Sequence, residues 1–150
     1  MSQFVLPISL RWSDIDANRH LRHSVYYDFA ASMRLNILIS QGLTTSRLDQ
    51  MHIGPILFRE EAIFKREVLL EDKLTIDAQV TRCTEDFARL SIRHQIKKED
   101  GTVAAIINVD VAWIDLQKRK LAVPPESVRH LFEEWPKSTD FEPIVVSKKT

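Results

Sequence analysis

The sequence predicts an α+β fold, a single domain in which one long helix packs against one face of a curved antiparallel sheet. The chain has 150 residues, which is the size of one domain, and no internal repeat or linker divides it. One segment spaces its apolar residues with the period of a helix, and several others alternate apolar and polar residues as strands do. A lone helix followed by a run of strands is typical of this layered arrangement.

The first element is a predicted half-buried strand, because apolar and polar residues alternate from Phe4 to Trp12. Pro7 indicates an edge position or a bulge, since proline has no N–H group to donate to a neighbouring strand. Residues 13–23 have no apolar period, so we expect a polar loop between this strand and the helix.

The long helix is predicted over residues 25–41, with a length of about 26 Å. Ser24 has the side chain of an N-cap residue, and Gly42 is suited to end the helix. The apolar positions of one face recur at spacings of three and four residues: Tyr26, Phe29, Ala30, Met33 and Ile37.

The remainder of the chain is predicted to be mostly antiparallel strands. Strand character is found in residues 56–68, 74–81, 88–96 and 102–114. Asp100 and Gly101 predict a hairpin turn before the last of them, which at roughly 43 Å is long enough to curve around a helix. Pro124 and Pro125 open a short amphipathic segment that ends at Trp135. We therefore expect the domain to span residues 1–136 and residues 137–150 to form a loosely held tail.

The composition excludes several classes of protein. Lys plus Arg and Asp plus Glu number 21 each, so the net charge is zero and no nucleic-acid surface is expected. The three glycines are scattered, which excludes a glycine-rich phosphate loop, and the single cysteine, Cys83, excludes an internal disulfide. No apolar stretch approaches the roughly 20 residues of a membrane span, and the N-terminus lacks signal-peptide features. We expect a soluble, cytoplasmic protein.

The densest cluster of polar and charged residues precedes the helix. Asp14 and Asp16 lie two residues apart just before its predicted N-terminus, where unpaired N–H groups and the helix dipole favour a developing oxyanion. A carboxylate beside such a site can act as a nucleophile or as a general base, as acyl transfer requires. Asp-x-Asp in a loop is also common turn or capping chemistry, so the spacing alone leaves both interpretations open.

Residues 11–29, R-W-S-D-I-D-A-N-R-H-L-R-H-S-V-Y-Y-D-F, carry a resemblance to a known family. They resemble the N-terminal signature of the hot-dog-fold acyl-CoA thioesterases of the 4-hydroxybenzoyl-CoA thioesterase type. After two basic or aromatic positions that signature reads approximately x-D-x-D-x-x-G-H-V-N-N-x-x-Y, with a late Arg in the following helix. The matching residues here are Arg11, Trp12, Asp14, Asp16, His20, Tyr26 and Arg34. The resemblance covers residues 4–133.

The resemblance implies a hot-dog fold, a long central helix wrapped by a curved antiparallel sheet, and a thioester hydrolase that needs no cofactor. It gives Asp16 the catalytic role, as nucleophile or general base, while backbone amides near Val25 and Tyr26 hold the carbonyl oxygen. Tyr26 is either a core residue or part of the acyl pocket. Asp14 is expected to organise the loop.

Three residues depart from the signature: Arg19 replaces Gly, and Arg22 and His23 replace Asn-Asn. Because glycine often serves a positive φ or a close ligand approach, Arg19 is expected to narrow the mouth of the site. Arg19 and Arg22 are either solvated charges or partners of the CoA phosphates. His20 is expected to order the loop or line the site. His20 and His23 have the spacing of a metal pair, but no third ligand accompanies them, so no metal is expected.

The function that the resemblance implies is hydrolysis of an acyl-CoA or acyl-carrier-protein thioester to a free acid and a thiol. The altered Gly-His-Val-Asn-Asn stretch motivates an alternative, a non-catalytic hot-dog module that binds acyl thioesters or a protein partner. A hot-dog dehydratase fits less well, because its His and acid are arranged differently. The family assembles with sites at subunit interfaces, so the resemblance also implies a homodimer or homotetramer, in which exposed sheet edges become paired.

Overall fold

The computed structural model describes residues 3–146 of the chain. Three helices and eight strands follow one another in these residues. In chain order they are β1 (Val5–Ile8), α1 (His23–Ser40), α2 (Thr45–Gln50), β2 (Ile53–Phe64), β3 (Leu74–Asp77), β4 (Gln79–Cys83), β5 (Arg89–Lys98), β6 (Val103–Asp115), β7 (Lys120–Ala122), α3 (Glu126–Phe132) and β8 (Lys137–Pro143). None of the helices within residues 3–146 is long and apolar enough to cross a lipid bilayer.

The strands form one curved sheet that lies against α1, as predicted. β2 is one edge and pairs with β6, which pairs in turn with β5 and, near its end, with β7. β5 also pairs with β3 and β4, and these pair with β1 and β8 at the far edge. Every pairing is antiparallel except that of β4 with β8, which is parallel.

The core lies between α1 and the concave face of the sheet. One face of α1 is buried, which confirms the helical period found in the sequence, and alternate residues of β5 and β6 meet it. The buried residues of α1 are Val25, Tyr26, Ala30, Met33, Ile37 and Leu38. The helix begins two residues earlier than predicted, at His23, and Gly42 follows its C-terminal end with a φ of +85°.

The first strand is shorter than its sequence pattern indicates. It ends at Ile8, and Trp12, which continues the alternation, is 81% exposed in a short 3₁₀ turn, Trp12–Asp14. The Asp14 side chain accepts a hydrogen bond from the backbone N–H of Arg11, so this segment closes into a turn instead of extending the ladder. Pro7 does lie on an edge strand, because β1 pairs with β3 on one side among the described strands.

The predicted strand over residues 74–81 is divided into β3 and β4 at Ala78. The Asp77 side chain accepts a hydrogen bond from the backbone N–H of Gln95 at 2.7 Å, and the Asp77 carbonyl is 2.8 Å from Nδ1 of His94. These bonds replace the regular ladder at this point, but both halves pair with β5 in the same register as far as Val80. The register shifts inside β4, between Val80 and Arg82.

The C-terminal segment differs most from expectation. We expected residues 137–150 to be a loosely held tail, but Lys137–Pro143 forms β8 at the edge of the sheet. The Arg93 guanidinium donates two hydrogen bonds to the Asp140 carboxylate, at 3.0 and 3.1 Å, and so ties β8 to β5. The part of the predicted tail in residues 147–150 lies outside the described residues.

Candidate active site

The loop before α1 is anchored by Asp14, which is fully buried. Its carboxylate accepts hydrogen bonds from the backbone N–H of Arg11 at 2.9 Å and from Nη2 of the same residue at 3.0 Å. Burial alone would raise the pKa of Asp14, but the hydrogen bonds and charge of Arg11 outweigh it, so the pKa lies below its usual value. The Asp14 carbonyl accepts a hydrogen bond from the N–H of Arg22, the residue before the helix. Asp14 thus organises the loop, as expected.

Asp16 lies at the centre of a tight turn formed by residues 16–20. Its Oδ1 accepts hydrogen bonds from the N–H groups of Asn18 and His20, at 2.9 and 3.2 Å. The Asp16 N–H donates to the His20 carbonyl, and its own carbonyl accepts from Arg19. Among residues 3–146 both of these bonds go to Oδ1 of the half-buried carboxylate, and neither engages Oδ2.

Arg19 has a φ of +64°, the left-handed conformation that glycine adopts without steric cost. This explains why glycine suits the position and what its replacement changes. The backbone turn is kept at a cost of roughly 1–2 kcal/mol, and an exposed cationic side chain is added. That side chain lies in a groove of about 730 Å³ next to Asp16.

A cavity of about 340 Å³ joins this loop to the end of β2. It brings together four residues that the sequence had singled out, Asp16, His20, His23 and Tyr26, with a segment that it had not. The lining is completed by Leu21, Phe64, Lys65, Arg66, Glu67 and Val68.

Tyr26 lines this cavity and is also a core residue, since it is 4% exposed. Its ring meets that of Phe64 edge to face, with centroids 4.9 Å apart. Burial, and to a lesser extent the charge of Asp16, raise the pKa of the Tyr26 hydroxyl. The two roles considered for Tyr26 are therefore compatible.

Glu67 is one of the residues of this cavity that sequence reasoning missed. Its Oε2 lies 2.8 Å from Nε2 of His20. No local pattern marks Glu67, which follows β2 in an irregular segment, and only the folding of that segment against the loop brings the two side chains together.

The start of α1 decides which backbone N–H groups have no partner within the helix. Because α1 begins at His23, its first-turn N–H groups are those of His23, Ser24 and Val25. The Val25 N–H donates to the Arg22 carbonyl at 3.1 Å. The Val25 amide is therefore already engaged, whereas the role expected of the amides near Val25 and Tyr26 in holding a carbonyl oxygen stays a prediction.

A second cavity, of about 230 Å³, lies between the C-terminal half of α1 and the sheet. Its lining is apolar apart from Arg34, and includes Pro55, Ile56 and Leu57 at the start of β2. Arg34 Nη1 lies 3.0 Å from Nε2 of His94, whose pKa burial lowers to about 3. His94 is thus neutral and accepts from Arg34, while its Nδ1 donates to the Asp77 carbonyl.

The β2 edge carries an exposed apolar surface. β2 has β6 as its one partner strand in the described part of the chain. Large apolar side chains are at least two-fifths exposed on this strand and on the adjacent face of α1: Leu35, Ile39, Leu57, Phe58, Ile63 and Phe64. An edge of this length and composition is normally covered in a native protein.

Within residues 3–146 no three Asp, Glu, His or Cys side chains come together as metal ligands would. His20 is instead paired with Glu67, and Arg22 is exposed and lines neither of the two cavities.

Comparison with known proteins places the chain among proteins of this architecture. The family described as the thioesterase-like superfamily matches residues 10–132. No curated protein sequence is significantly similar to the chain.

Three solved structures illustrate the likeness. A hypothetical protein from Staphylococcus aureus in complex with CoA is 23% identical, with a TM-score of 0.80 over 91% of this chain and 87% of that one. A 1,4-dihydroxy-2-naphthoyl-CoA thioesterase from Synechocystis is 16% identical, with a TM-score of 0.78 over 87% and 96%. A DHNA-CoA thioesterase from Staphylococcus aureus is 14% identical, with a TM-score of 0.76 over 87% and 88%. These likenesses confirm the hot-dog fold.

Proposed function

This chain belongs to the thioesterase-like superfamily, and on that premise we propose that it hydrolyses acyl-CoA thioesters to a free acid and a thiol, with Asp16 as the catalytic carboxylate. The observation that carries the proposal is the position of Asp16. It lines the 340 Å³ cavity beside the first turn of α1, with one carboxylate oxygen held and the other open.

The geometry supports different roles for the two oxygens of the Asp16 carboxylate. Two backbone N–H groups hold Oδ1 and so orient the group, which leaves Oδ2 to attack the thioester carbonyl or to accept a proton from water. The first-turn amides of His23 and Ser24 would stabilise the charge that develops on the carbonyl oxygen.

The cationic rim of the cavity supports CoA as the carrier. Lys65 and Arg66 line the cavity, and Arg19 and Arg22 are exposed on the loop beside it. Phosphate groups are bound by such exposed cationic side chains. The Staphylococcus aureus structure in complex with CoA is consistent with this assignment.

We further propose a homodimer formed through the two β2 edges. This arrangement would provide a binding site for the acyl group of the substrate. The end of β2, at Phe64, lines the Asp16 cavity, whereas its start, at Pro55, lines the apolar cavity. Two β2 strands paired antiparallel about a twofold axis would lay the start of one beside the end of the other. The apolar cavity of one protomer would then receive the acyl group held at the partner's catalytic loop.

The cytoplasmic location remains a prediction of the sequence.

The proposal is tested by measuring thiol release from a panel of aliphatic and aromatic acyl-CoA esters. Asp16→Asn keeps the shape of the side chain but removes its charge and its nucleophilic oxygen, so turnover should fall by about 10²-fold or more. Asp28→Asn, which changes an exposed acid on α1, is the matched control and should retain activity.

Two results would contradict the proposal. Near-full turnover by Asp16→Asn would refute the role of Asp16. If the wild-type protein binds acyl-CoA but hydrolyses no member of the panel, the chain is a binding module, as the alternative interpretation holds.

A further inference from the structure

The pair of His20 and Glu67 has no role in the function proposed above. Nε2 of His20 lies 2.8 Å from Oε2 of Glu67, and the side chains are 43% and 62% exposed. Ion pairs this exposed contribute little to stability, so stability does not explain the pair. Both residues line the cavity that contains Asp16.

The backbone of His20 is tied directly to Asp16. The His20 N–H donates to Asp16 Oδ1 at 3.2 Å, and the His20 carbonyl accepts from the Asp16 N–H at 2.9 Å. The three residues are therefore linked by hydrogen bonds, with the His20 backbone joined to Asp16 and its imidazole facing the Glu67 carboxylate. Because Nε2 faces the Glu67 carboxylate, Nδ1 is the nitrogen through which His20 can exchange a proton with a bound molecule.

When a carboxylate attacks a thioester, the departing sulfur needs a proton. Carboxylic acids ionise near a pKa of about 4 and thiols near about 8.5, so the tetrahedral adduct expels the carboxylate more readily than a thiolate. The adduct therefore returns to its reactants unless the sulfur departs as a neutral thiol.

We infer that His20, oriented by Glu67, is the proton donor to the departing thiol. This inference rests on the proposed thioesterase function, with Asp16 as the nucleophile. In the first step the Oδ2–carbonyl bond forms and the C–S bond breaks. The proton of the His20 imidazolium passes to sulfur, which leaves a mixed anhydride on Asp16 and a neutral imidazole.

The second step restores both groups. Water adds its oxygen to the acyl carbon of the anhydride and gives one proton to the neutral His20. The Asp16 carboxylate departs, and the products of the two steps together are one acid and one thiol for each thioester and water consumed. His20 touches the reacting atoms in this scheme and is a catalytic residue, whereas Glu67 is a positioning residue.

The test compares two thioesters that share an acyl group and differ in the thiol. One is benzoyl-CoA, and the other is the benzoyl ester of thionitrobenzoate, an aryl thiol that leaves as a stable thiolate and needs no proton. Glu67→Gln is expected to lower kcat for benzoyl-CoA by about tenfold and His20→Gln by about 10²-fold, the range of general acid catalysis. In a single turnover both variants should release thionitrobenzoate within about twofold of the wild-type rate, because the step in which His20 accepts a proton from water comes after thiolate release.

Glu99→Gln, an exposed acid in the hairpin turn after β5, is the matched control and should leave both rates unchanged. Circular dichroism and Tm should be unaltered in all three variants, because the altered side chains are exposed or half-exposed.

The outcomes separate this inference from the proposed function. Equal losses on the two thioesters, or no loss on benzoyl-CoA in Glu67→Gln, would overturn the inference and leave the thioesterase assignment standing. A wild-type protein inactive on both thioesters would overturn the proposed function and the inference with it.

Discussion

Asp14→Asn is the substitution whose effect the structure allows us to calculate most directly. The Asp14 carboxylate is fully buried, and both of its oxygens accept hydrogen bonds from Arg11, one from the backbone N–H and one from Nη2. An asparagine side chain keeps one acceptor, but its amide group turns a donor toward a donor at the other position.

The magnitude follows from the single bond that is lost. A hydrogen bond to a charged group contributes about 1.5–3 kcal/mol, so the free energy of unfolding should fall by about 2 kcal/mol. For a domain of this size Tm changes by about 2–4 °C per kcal/mol, which gives a decrease of about 4–8 °C. Because the Asp14 carbonyl holds Arg22 at the helix start, some loss of activity is expected as well.

The effect should depend on pH with a defined sign. The pKa of Asp14 is lowered in the folded protein despite its burial, because the contacts with Arg11 outweigh desolvation. The carboxylate therefore contributes stability above its unfolded pKa of about 3.9, and this contribution is lost as pH falls through the lower folded value. The Tm difference between wild type and Asp14→Asn should be full at neutral pH and should shrink in acid.

Calorimetry at pH 7 and at about pH 3, on the two sides of the ordinary carboxylate pKa, measures the Tm decrease and its dependence on pH. Asp49→Asn, which alters an exposed acid on α2, is the control and should stay within about 0.5 kcal/mol of wild type. A Tm decrease below about 1 °C at pH 7, where about 4 °C or more is expected, would refute the assignment of Asp14 as the anchor of the loop. A decrease that is equally large at both pH values would refute the electrostatic explanation.

Three other predictions follow from the packing. Trp113 is 2% exposed and meets Phe132 edge to face, so Trp113→Ala should lower the free energy of unfolding by about 3–5 kcal/mol in urea titrations. Burial raises the pKa of the Cys83 thiol, and only the thiolate reacts, so iodoacetamide should label the native chain at least about tenfold more slowly than the urea-unfolded chain. Leu57→Glu on the exposed β2 edge should give a monomer in light scattering, whereas Leu121→Glu on β7 should remain dimeric; a dimeric Leu57→Glu would contradict the proposed interface.

Some parts of the site could be found in the sequence because they depend on residues close together in the chain. Asp14 and Asp16 precede a helix, and their hydrogen bonds are made with neighbours between Arg11 and Arg22. His20 of the loop and Tyr26 of α1 were likewise identified, and both line the cavity. The start of α1 was misplaced because His23 and Ser24 carry no apolar signal, although the backbone already has helical geometry there.

The sequence by itself determined the fold class and the buried face of α1, and Pro7 limited β1 to an edge position or a bulge, because periodicity and the missing N–H of proline are local properties of the chain. Only the tertiary structure decided which distant residues meet. Glu67 faces His20, Arg34 faces His94, and residues 137–143 join the sheet beside β4, with Asp140 hydrogen-bonded to Arg93. Such pairs depend on strand register and on the path of irregular segments, which result from the packing of the whole core and leave no pattern in any short stretch of sequence.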